Sequence, residues 1–518
     1  MAHLKLFILL LISKLSPRLA SRIMISFILS QARRRPHPLS MVHAYTSWTS
    51  LTDKKWSARH LPPRKAANLP PIEKILPIFQ RSTTGPRFCE KSTCLFPAFA
   101  QYLTDGFVRT RMPVGDEPKD LRKQTTSNNE IDMCPLYGRL PEQTRALRLL
   151  SEKRGEKGRL KSQILETDRG REEYPPFLMD DSGKIKEEFA LLDPPLGLHK
   201  QTNPDLLKLI FAVGGDRVNA VPTVSLLNTL FLREHNRLAG ILEENNQGWD
   251  DERVFQTARN IVIVVFIKLV VEEYINHIRP EPARFITDPS IAWKASWNKP
   301  NWITTEFSLL YRWHSLIPDE MEWNGVKYPV QQTFLNNSLI ISGGLAQGFF
   351  DLSSQKAGRL GVLNTNQWIL PQEYFAIDQG RLCELASYSD YRAYVGLPRP
   401  RSFEDITTNT EALQILKANY KTVDDVEFYV GLFAEDTLPN TPLQNLMIRF
   451  VAIDAFSQAL TNPLLSEHVF NEKTFTHEGW KIIQETSCLA DIVQRNANIP
   501  KNSPAITMTQ PGWKYQWF

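Results

Sequence analysis

The sequence of 518 residues is poor in cysteine, and its five cysteines are not spaced for a disulfide framework or a zinc site. Cys89, Cys94, Cys134, Cys383 and Cys488 are odd in number, widely separated and without a Cys-x-x-Cys pair, so we expect free thiols. The first 88 residues contain no cysteine at all. We therefore expect no disulfide-rich module of the epidermal-growth-factor type ahead of the main domain.

Acidic residues are absent from the first 52 positions, which carry seven lysines and arginines. The apolar runs LFILLLI and MISFIL between these cations are far shorter than the roughly 20 apolar residues that a membrane-spanning helix needs. We expect residues 1–42 to form a basic amphipathic segment that lies on a membrane surface, which makes the protein a peripheral, monotopic one. A disordered basic tail is the alternative interpretation.

The charge balance of the whole chain argues against a nucleic-acid partner. The net charge of +5 is small for this length, and no lysine- and arginine-rich run in the body alternates with aromatic residues. The apolar fraction of 42% is that of a globular protein and allows a sizeable core. We expect no nucleic-acid binding.

Hydrophobic spacing predicts a mainly α-helical fold with few short strands. Residues 92–110 and much of the chain beyond 206 follow the 3.6-residue period, whereas 111–205 is rich in charge, proline and glycine and predicts long loops. The stretch IVIVVFIKLVV is only 11 residues long and contains Lys268, which favours a helix in the centre of the core over a membrane span. We expect one large domain over 43–500 and a tail over 501–518.

The stretch LLYRWHSLIPDE at 309–320 places Tyr311 three positions before His314. We expect an amphipathic helix over 302–316, on which these two residues share a face. A histidine nitrogen is a good axial ligand for haem iron, and a tyrosine close to haem can be oxidised to a radical. On this stretch alone, two packing residues on a core helix are the commoner explanation.

The segment EFSLLYRWHSLIPD resembles the proximal helix of the animal haem peroxidase superfamily, in its cyclooxygenase-like (prostaglandin endoperoxide synthase) branch. There a Tyr-x-Trp-His run carries the radical tyrosine and the proximal haem ligand. Further segments resemble this branch in the same order, so that the likeness covers about residues 43–495: YTSWTSLTDKKWSARHLPP, GRLKSQILE, FLREHNRLAGILEENN, FLNNSLIISGGLAQGF and DAFSQALTNPLL. Because no cysteine-rich module is seen, the resemblance suggests the bacterial cyclooxygenase-like group.

The resemblance implies roles for individual residues. His314 becomes the proximal iron ligand of a non-covalently bound haem b, Tyr311 the residue that removes a substrate hydrogen, and Trp313 a wall of the pocket beside it. Ser457 in AFSQAL corresponds to a serine that narrows the substrate channel.

The cation that would hold a fatty-acid carboxylate at the channel mouth is less clearly placed. Arg33 to Arg35 are candidates, since a guanidinium binds a carboxylate through two hydrogen bonds. An ungapped count from YTSW gives Leu29 instead, and contacts to lipid headgroups are the alternative role for the three arginines.

The distal side departs from the family pattern Ala-Gln-x-x-Thr-His. In AQYLTDGF, Gln101 and Thr104 are retained, but Asp105 takes the place of the histidine, and residues 61–198 contain no histidine. Thr104 is expected to contact haem without the ester link that a carboxylate forms. Two hypotheses follow for Asp105: it shuttles the peroxide proton as a general acid and base, or peroxidase turnover is weak and serves only to generate the Tyr311 radical. We favour the second.

We therefore expect a haem-dependent fatty-acid dioxygenase that adds O2 to a polyunsaturated fatty acid through a tyrosyl radical, with weak or altered activity on peroxide. A homodimer is the assembly that the resemblance allows. One alternative is a haem peroxidase that uses hydrogen peroxide on small donors, and another is a haem-binding protein that has lost catalysis. The glycine pair in AVGGDR at 212–217 lacks the strand and helix that a nucleotide site requires.

Overall fold

Helices account for most of the regular structure in the computed structural model, which describes residues 11–30, 39–65, 69–282 and 284–516. The α-helices are α1 (Pro17–Leu29), α2 (Trp48–Thr52), α3 (Ile72–Ile75), α4 (Leu95–Phe107), α5 (Cys134–Tyr137), α6 (Pro141–Leu147), α7 (Pro204–Leu207), α8 (Pro222–Asn245), α9 (Asp251–Leu269), α10 (Asn276–Ile278), α11 (Ser290–Trp293), α12 (Thr305–Leu310), α13 (Ser338–Ser354), α14 (Pro371–Leu382), α15 (Tyr388–Tyr394), α16 (Thr410–Asn419), α17 (Phe428–Ala434), α18 (Asn445–Phe450), α19 (Ser457–Leu460), α20 (Glu472–Glu485) and α21 (Leu489–Asn496). Two π-helical segments, Val270–Ile275 and Val451–Phe456, continue α9 and α18. Short 3-10 helices cover Leu76–Ile78, Lys119–Lys123, Glu187–Phe189, Leu198–Lys200, Val218–Ala220, His314–Leu316, Val330–Thr333, Phe403–Asp405, Val423–Asp425 and Pro463–Leu465.

Strands are few and short, as the sequence predicts. They are β1 (Phe88–Thr93), β2 (Gln163–Thr167), β3 (Gly170–Tyr174), β4 (Glu320–Trp323), β5 (Val326–Pro329) and β6 (Lys356–Gly358). They form three two-stranded antiparallel sheets, β1 with β6, β2 with β3 and β4 with β5. The mainly α-helical fold class is therefore confirmed, and the predicted loops between 111 and 205 carry only one of these hairpins and short helices.

Helix α8 lies at the centre of the core and packs against α4, α9, α13 and α21. Helix α9 begins where the Asp250 carboxylate accepts a hydrogen bond from the Arg253 backbone N–H at 2.8 Å, an N-cap that satisfies one of the free donors of the first turn. Among the described residues, one helical segment, Asp251–Ile278, is long and apolar enough to cross a membrane by length and composition, but 72% of its most apolar window is buried inside the protein. This matches the predicted core helix.

The amino-terminal helix α1 packs onto the body of the protein along one face. Met24, Ile25 and Leu29 are buried in the main core, and the Ser21 hydroxyl exchanges hydrogen bonds with the backbone of Ile286. Near the other end, Met508 is also buried in this core. The boundaries at residues 42 and 500 remain predictions.

The predicted helix over 302–316 is wrong in its second half, because α12 ends at Leu310. The indole N–H of Trp313 donates to the Leu310 carbonyl at 2.8 Å, and this oxygen would otherwise accept the His314 backbone N–H of a continuing helix. Tyr311 is the C-cap residue of α12, whereas His314 opens a separate 3-10 turn. The two side chains therefore do not share the face of one helix.

Helical spacing also covers 443–461 and 477–495, and the structure interrupts both stretches. The first contains the π-helical segment Val451–Phe456, and the second falls into α20 and α21. π-Helical turns are rare and frequently occur at functional sites. Both π segments seen in the described residues act on Tyr311: Tyr274 of the first donates a hydrogen bond to it, and the charge of Asp454 in the second raises its pKa.

Candidate active site

Tyr311 lies in an aromatic pocket at the end of α12. Its ring centroid is 5.4 Å from that of Phe307 and 4.9 Å from that of Trp313. Tyr274 donates its hydroxyl hydrogen to the Tyr311 hydroxyl oxygen, with 3.3 Å between the two oxygens. Burial raises the pKa of Tyr311 above its ordinary value. The phenol is therefore protonated at neutral pH, and its oxygen is fixed by one hydrogen bond.

His314 lies on the other side of the helix break, and a buried carboxylate holds its ring. His314 Nδ1 lies 3.2 Å from Glu373 Oε1. The Glu373 side chain is 2% exposed and that of His314 is 18% exposed. Glu373 also accepts hydrogen bonds from the hydroxyls of Thr365, at 2.9 Å, and Tyr429. Among the described residues, no hydrogen bond occupies the other ring nitrogen, Nε2.

The turn that begins at His314 is fixed by a loop from elsewhere in the chain. The Asn364 side-chain amide donates to the Ser315 carbonyl at 3.0 Å, and the Ser315 hydroxyl accepts the Gly361 N–H at 3.1 Å. A Cβ added to Gly358 of β6 would lie 2.3 Å from the Ser315 carbonyl oxygen, so this approach requires glycine. The position of His314 therefore depends on contacts to residues about 45 to 50 positions away, which no local pattern contains.

Asp105, near the end of α4, is buried beside a second cluster of charges. Arg217 Nη1 lies 3.5 Å from Asp105 Oδ1, while Oδ2 has no hydrogen-bond partner. Burial raises the pKa of Asp105 to about 6, and the positive charges of Arg217 and Arg109 only partly oppose this rise. Arg109 is itself bound to Asp216 at 2.6 Å. The site thus contains a carboxyl group that titrates close to neutral pH.

Gln101 and Thr104 lie on α4 within four residues of Asp105, as the sequence requires. Gln101 is partly exposed. The Thr104 hydroxyl is buried and donates to the Ala100 carbonyl of its own helix at 3.0 Å. The structure therefore brings these residues together with Asp105, and it gives the Thr104 hydroxyl a backbone partner one turn earlier.

Arg312 connects the two sides of the site electrostatically. Burial lowers the pKa of Arg312 to about 10, with a further decrease from the neighbouring Arg217 and opposing increases from Glu373 and Asp105. The Arg312 guanidinium therefore interacts electrostatically with both the Asp105 cluster and the Glu373 cluster. Its Nε atom is buried without a hydrogen-bond partner.

The loop AVGGDR positions Arg217 through its glycines. A Cβ on Gly214 would lie 2.2 Å from the Gly138 nitrogen and 2.4 Å from the Cys134 carbonyl oxygen, so no larger residue fits. Arg217 also donates to the Val108 carbonyl at 3.0 Å, which ties the loop to the end of α4. This glycine pair serves close backbone packing next to the site.

The structure describes only some of the predicted channel residues. Ser457 is buried, and its hydroxyl donates to the Ile453 carbonyl within the neighbouring π-helical segment. That segment contacts α12, and the charge of Asp454 in it raises the pKa of Tyr311. Arg33 to Arg35 lie outside the described residues, and Leu29 is fully buried in the core.

The residues present fit a haem group. His314 has one ring nitrogen held by Glu373 and the other available as a metal ligand, which is the usual arrangement of a ligating histidine. Buried polar atoms without partners also point to a missing group, since such atoms are rare in folded proteins. They include Asp105 Oδ2 and Arg312 Nε, on residues that border the site from two directions.

Comparison with known proteins agrees with this geometry. The family model described as animal haem peroxidase matches residues 14–508. This chain belongs to the animal haem peroxidase family. It is 30% identical to prostaglandin G/H synthase 2 of Equus caballus over 466 residues, which cover 87% of this chain and 72% of the relative.

Solved structures share the fold of this haem peroxidase at low sequence identity. The fatty acid alpha-dioxygenase of Arabidopsis thaliana matches with a TM-score of 0.70 and 15% identity, covering 95% of this chain and 89% of the other. Peroxidase A of Dictyostelium discoideum matches with a TM-score of 0.64 and 21% identity, covering 88% and 93%. The predicted family, its haem cofactor and its class as a haem oxidoreductase are confirmed. The bacterial group remains a prediction.

Several residues around Tyr311 and His314 were not predicted from the sequence. Tyr274 and Glu373 are 37 and 59 positions from their partners, and no spacing rule links them. Arg217 lies in the AVGGDR loop, where the sequence carries no signal for a site. Arg312 could have been found, because it stands inside the Tyr-x-Trp-His run, between Tyr311 and His314.

The assignment of His314 as the iron ligand predicts the effect of removing its ring. We expect His314→Gly to bind haem at least about tenfold more weakly than wild type. Loss of a residue that merely supports a metal ligand already lowers metal affinity about tenfold or more, and loss of the ligand itself should lower it at least as much. Added imidazole should restore a wild-type-like haem absorption band by entering the space left by the side chain. Titration with haem followed by absorption measures both effects. His199→Gly, at an exposed histidine, is the control, and unchanged haem binding by His314→Gly would contradict the assignment.

Proposed function

We propose that this haem peroxidase is a fatty-acid dioxygenase that adds O2 to a polyunsaturated fatty acid through a radical on Tyr311. The observation that carries the proposal is the Tyr311 hydroxyl, which is protonated, held by Tyr274 and enclosed by aromatic rings three residues from the haem ligand. The names of its relatives, a prostaglandin G/H synthase and a fatty acid alpha-dioxygenase, support an oxygenase of lipid substrates.

The residues of this chain define the steps of the reaction. Haem, when bound, supplies the oxidising power that takes one electron from Tyr311, whose phenolic proton is released. The Tyr311 oxygen then takes a hydrogen atom from a substrate carbon, so that the O–H bond is restored and a carbon radical remains for O2. The hydrogen bond from Tyr274 fixes the oxygen during both steps. Phe307 and Trp313 give this oxygen apolar surroundings that suit a hydrocarbon chain.

Oxygen uptake separates this function from simple peroxidase activity. With linoleate or arachidonate, we expect Tyr311→Phe to lose nearly all O2 consumption, because phenylalanine keeps the packing but has no O–H bond to exchange. Tyr45→Phe, at an exposed tyrosine, should keep wild-type uptake. An oxygen electrode and product analysis by mass spectrometry give the measurement. Equal uptake by wild type and Tyr311→Phe, or none by either, would refute the proposal.

Peroxidase activity on small donors is a second candidate function, and the Asp105 cluster favours it. A general base needs a pKa near the pH at which the enzyme works. Burial raises the pKa of Asp105 to about 6. As a carboxylate, Asp105 can take a proton from one peroxide oxygen and return it to the other. Arg217 beside it provides a positive charge that stabilises the anionic base.

The pH dependence of donor oxidation tests this role. The carboxylate form is the active base, so activity should be present above about pH 6 and fall as the pH decreases through that value. Asp105→Asn should lower kcat/KM for hydrogen peroxide by about 10²-fold or more and abolish this transition. The matched control is Asp116→Asn at an exposed site. If Asp105→Asn keeps both the rate and the pH profile, Asp105 has no role in peroxide chemistry.

We also propose that the protein binds a membrane surface through α1 and the short helical stretch at 11–15 that precedes it. The face opposite the buried one carries apolar side chains at four-residue spacing, all exposed: Leu11, Leu15, Leu19, Ile23 and Phe27. Lys14, Arg18 and Arg22 are exposed alongside this stripe. An apolar stripe bordered by cations is typical of a helix that lies in the headgroup region of a bilayer.

Vesicle binding tests the apolar stripe directly. Each large apolar side chain buried in lipid contributes about 1.5 kcal/mol or more, so Leu15→Ser with Phe27→Ser should weaken binding by about tenfold per residue. The control pair is Val114→Ser with Leu191→Ser, which changes equally exposed apolar residues elsewhere. Co-sedimentation with phosphatidylcholine vesicles, with and without phosphatidylserine, gives the affinities. Equal binding by both double variants would contradict the proposal.

A further inference from the structure

We propose that Glu373 is a positioning residue for the haem ligand: it fixes the hydrogen on His314 Nδ1 and gives the imidazole anionic character. The proposal rests on His314 being the ligand, as in the proposed function. Glu373 Oε1 lies 3.2 Å from Nδ1, and an ionised carboxylate only accepts hydrogen bonds. Nδ1 must then carry the hydrogen, which leaves the lone pair of Nε2 for a metal.

Glu373 is held so that its carboxylate cannot turn away from His314. It lies in the first turn of α14, and it receives the Thr365 hydroxyl on Oε1 and the Tyr429 hydroxyl on Oε2. Thr365 belongs to the loop after β6 and Tyr429 to α17, so three separate parts of the chain meet at this group. The side chain is 2% exposed, and water does not compete for its oxygens.

Two hydroxyl groups besides His314 contact the Glu373 carboxyl group. Thr365 and Tyr429 each donate a hydrogen bond to it. The guanidinium of Arg312 is close enough for the two charges to interact. Burial and the negative charge of Glu373 raise the pKa of Tyr429, so that its hydroxyl remains a donor.

A role limited to packing would require only that Glu373 satisfy Tyr429 and Thr365. Glu373 makes one more contact than such a packing role needs, to Nδ1 of His314. His314 is the partly exposed member of this group of side chains. A strong acceptor on Nδ1 increases electron donation from Nε2 to a bound metal. It therefore favours the ferric over the ferrous state of haem and strengthens the iron–histidine bond.

Properties of the haem-bound protein other than catalysis test this role. We expect Glu373→Gln to bind haem about 10- to 100-fold more weakly, the usual effect of losing such a partner. Its ferrous haem should show a lower iron–histidine stretching frequency in resonance Raman spectra. The ratio of ferrous to ferric haem at a given potential should rise about tenfold, which corresponds to a midpoint shift of about +59 mV.

Tyr429→Phe distinguishes electronic tuning from a general disturbance of the pocket. It removes a donor from Glu373 but keeps the carboxylate on His314, so the iron–histidine frequency should stay the same or rise, and the midpoint potential should stay the same or fall. Opposite shifts in the two variants support the proposal. Wild-type affinity, frequency and potential in Glu373→Gln would overturn it, and so would shifts of the same sign in both variants.

These readouts do not depend on fatty-acid oxygenation. A protein that fails to oxygenate fatty acids can still show the predicted shifts, in which case the proposed function fails and the role of Glu373 stands. If wild-type ferrous haem shows no iron–histidine band, the ligand assignment itself is wrong and the role of Glu373 falls with it. Thermal unfolding of the variants verifies that each one is folded.

Discussion

The hydrogen bond from the Trp313 indole to the Leu310 carbonyl determines how the site is divided. It occupies the oxygen that the next helical turn would need, so α12 stops and the chain enters a separate turn at His314. Tyr311 is then packed by the helices around α12, while His314 is held by α14 and the loop after β6. The break allows two residues only three positions apart to occupy different environments.

On one side, Tyr311 lies among rings and is held by a neutral hydroxyl; on the other, His314 is held by a buried carboxylate. A histidine that ligates a metal gains from an anionic acceptor on its other nitrogen. Burying charges costs free energy unless they are paired. Here Arg312 lies among the charges of Glu373 and Asp105, and Arg217 lies beside Asp105, which offsets part of that cost.

The sequence predicts those parts of the structure that depend on local patterns. The 3.6-residue spacing located α4, α8 and α9, and the Tyr-x-Trp-His run points to Tyr311 and His314 as the candidate pair. The end of α12 could not be predicted, because it depends on a rotamer of Trp313 and on a loop about 50 residues away. Glu373 was missed for the same reason: a carboxylate in an ordinary helical first turn becomes significant only when the fold brings it to His314.

Asp105 stands where the family pattern has a histidine, and the two side chains differ in the charge of their basic forms. The basic form is neutral for histidine and negative for aspartate. Burial raises the pKa of Asp105 to about 6. Arg217, held by the Gly214–Gly215 loop, places a positive charge at the carboxylate and so compensates for this difference. An ionised Asp105 and Arg217 together carry a net charge close to zero, as a neutral imidazole does.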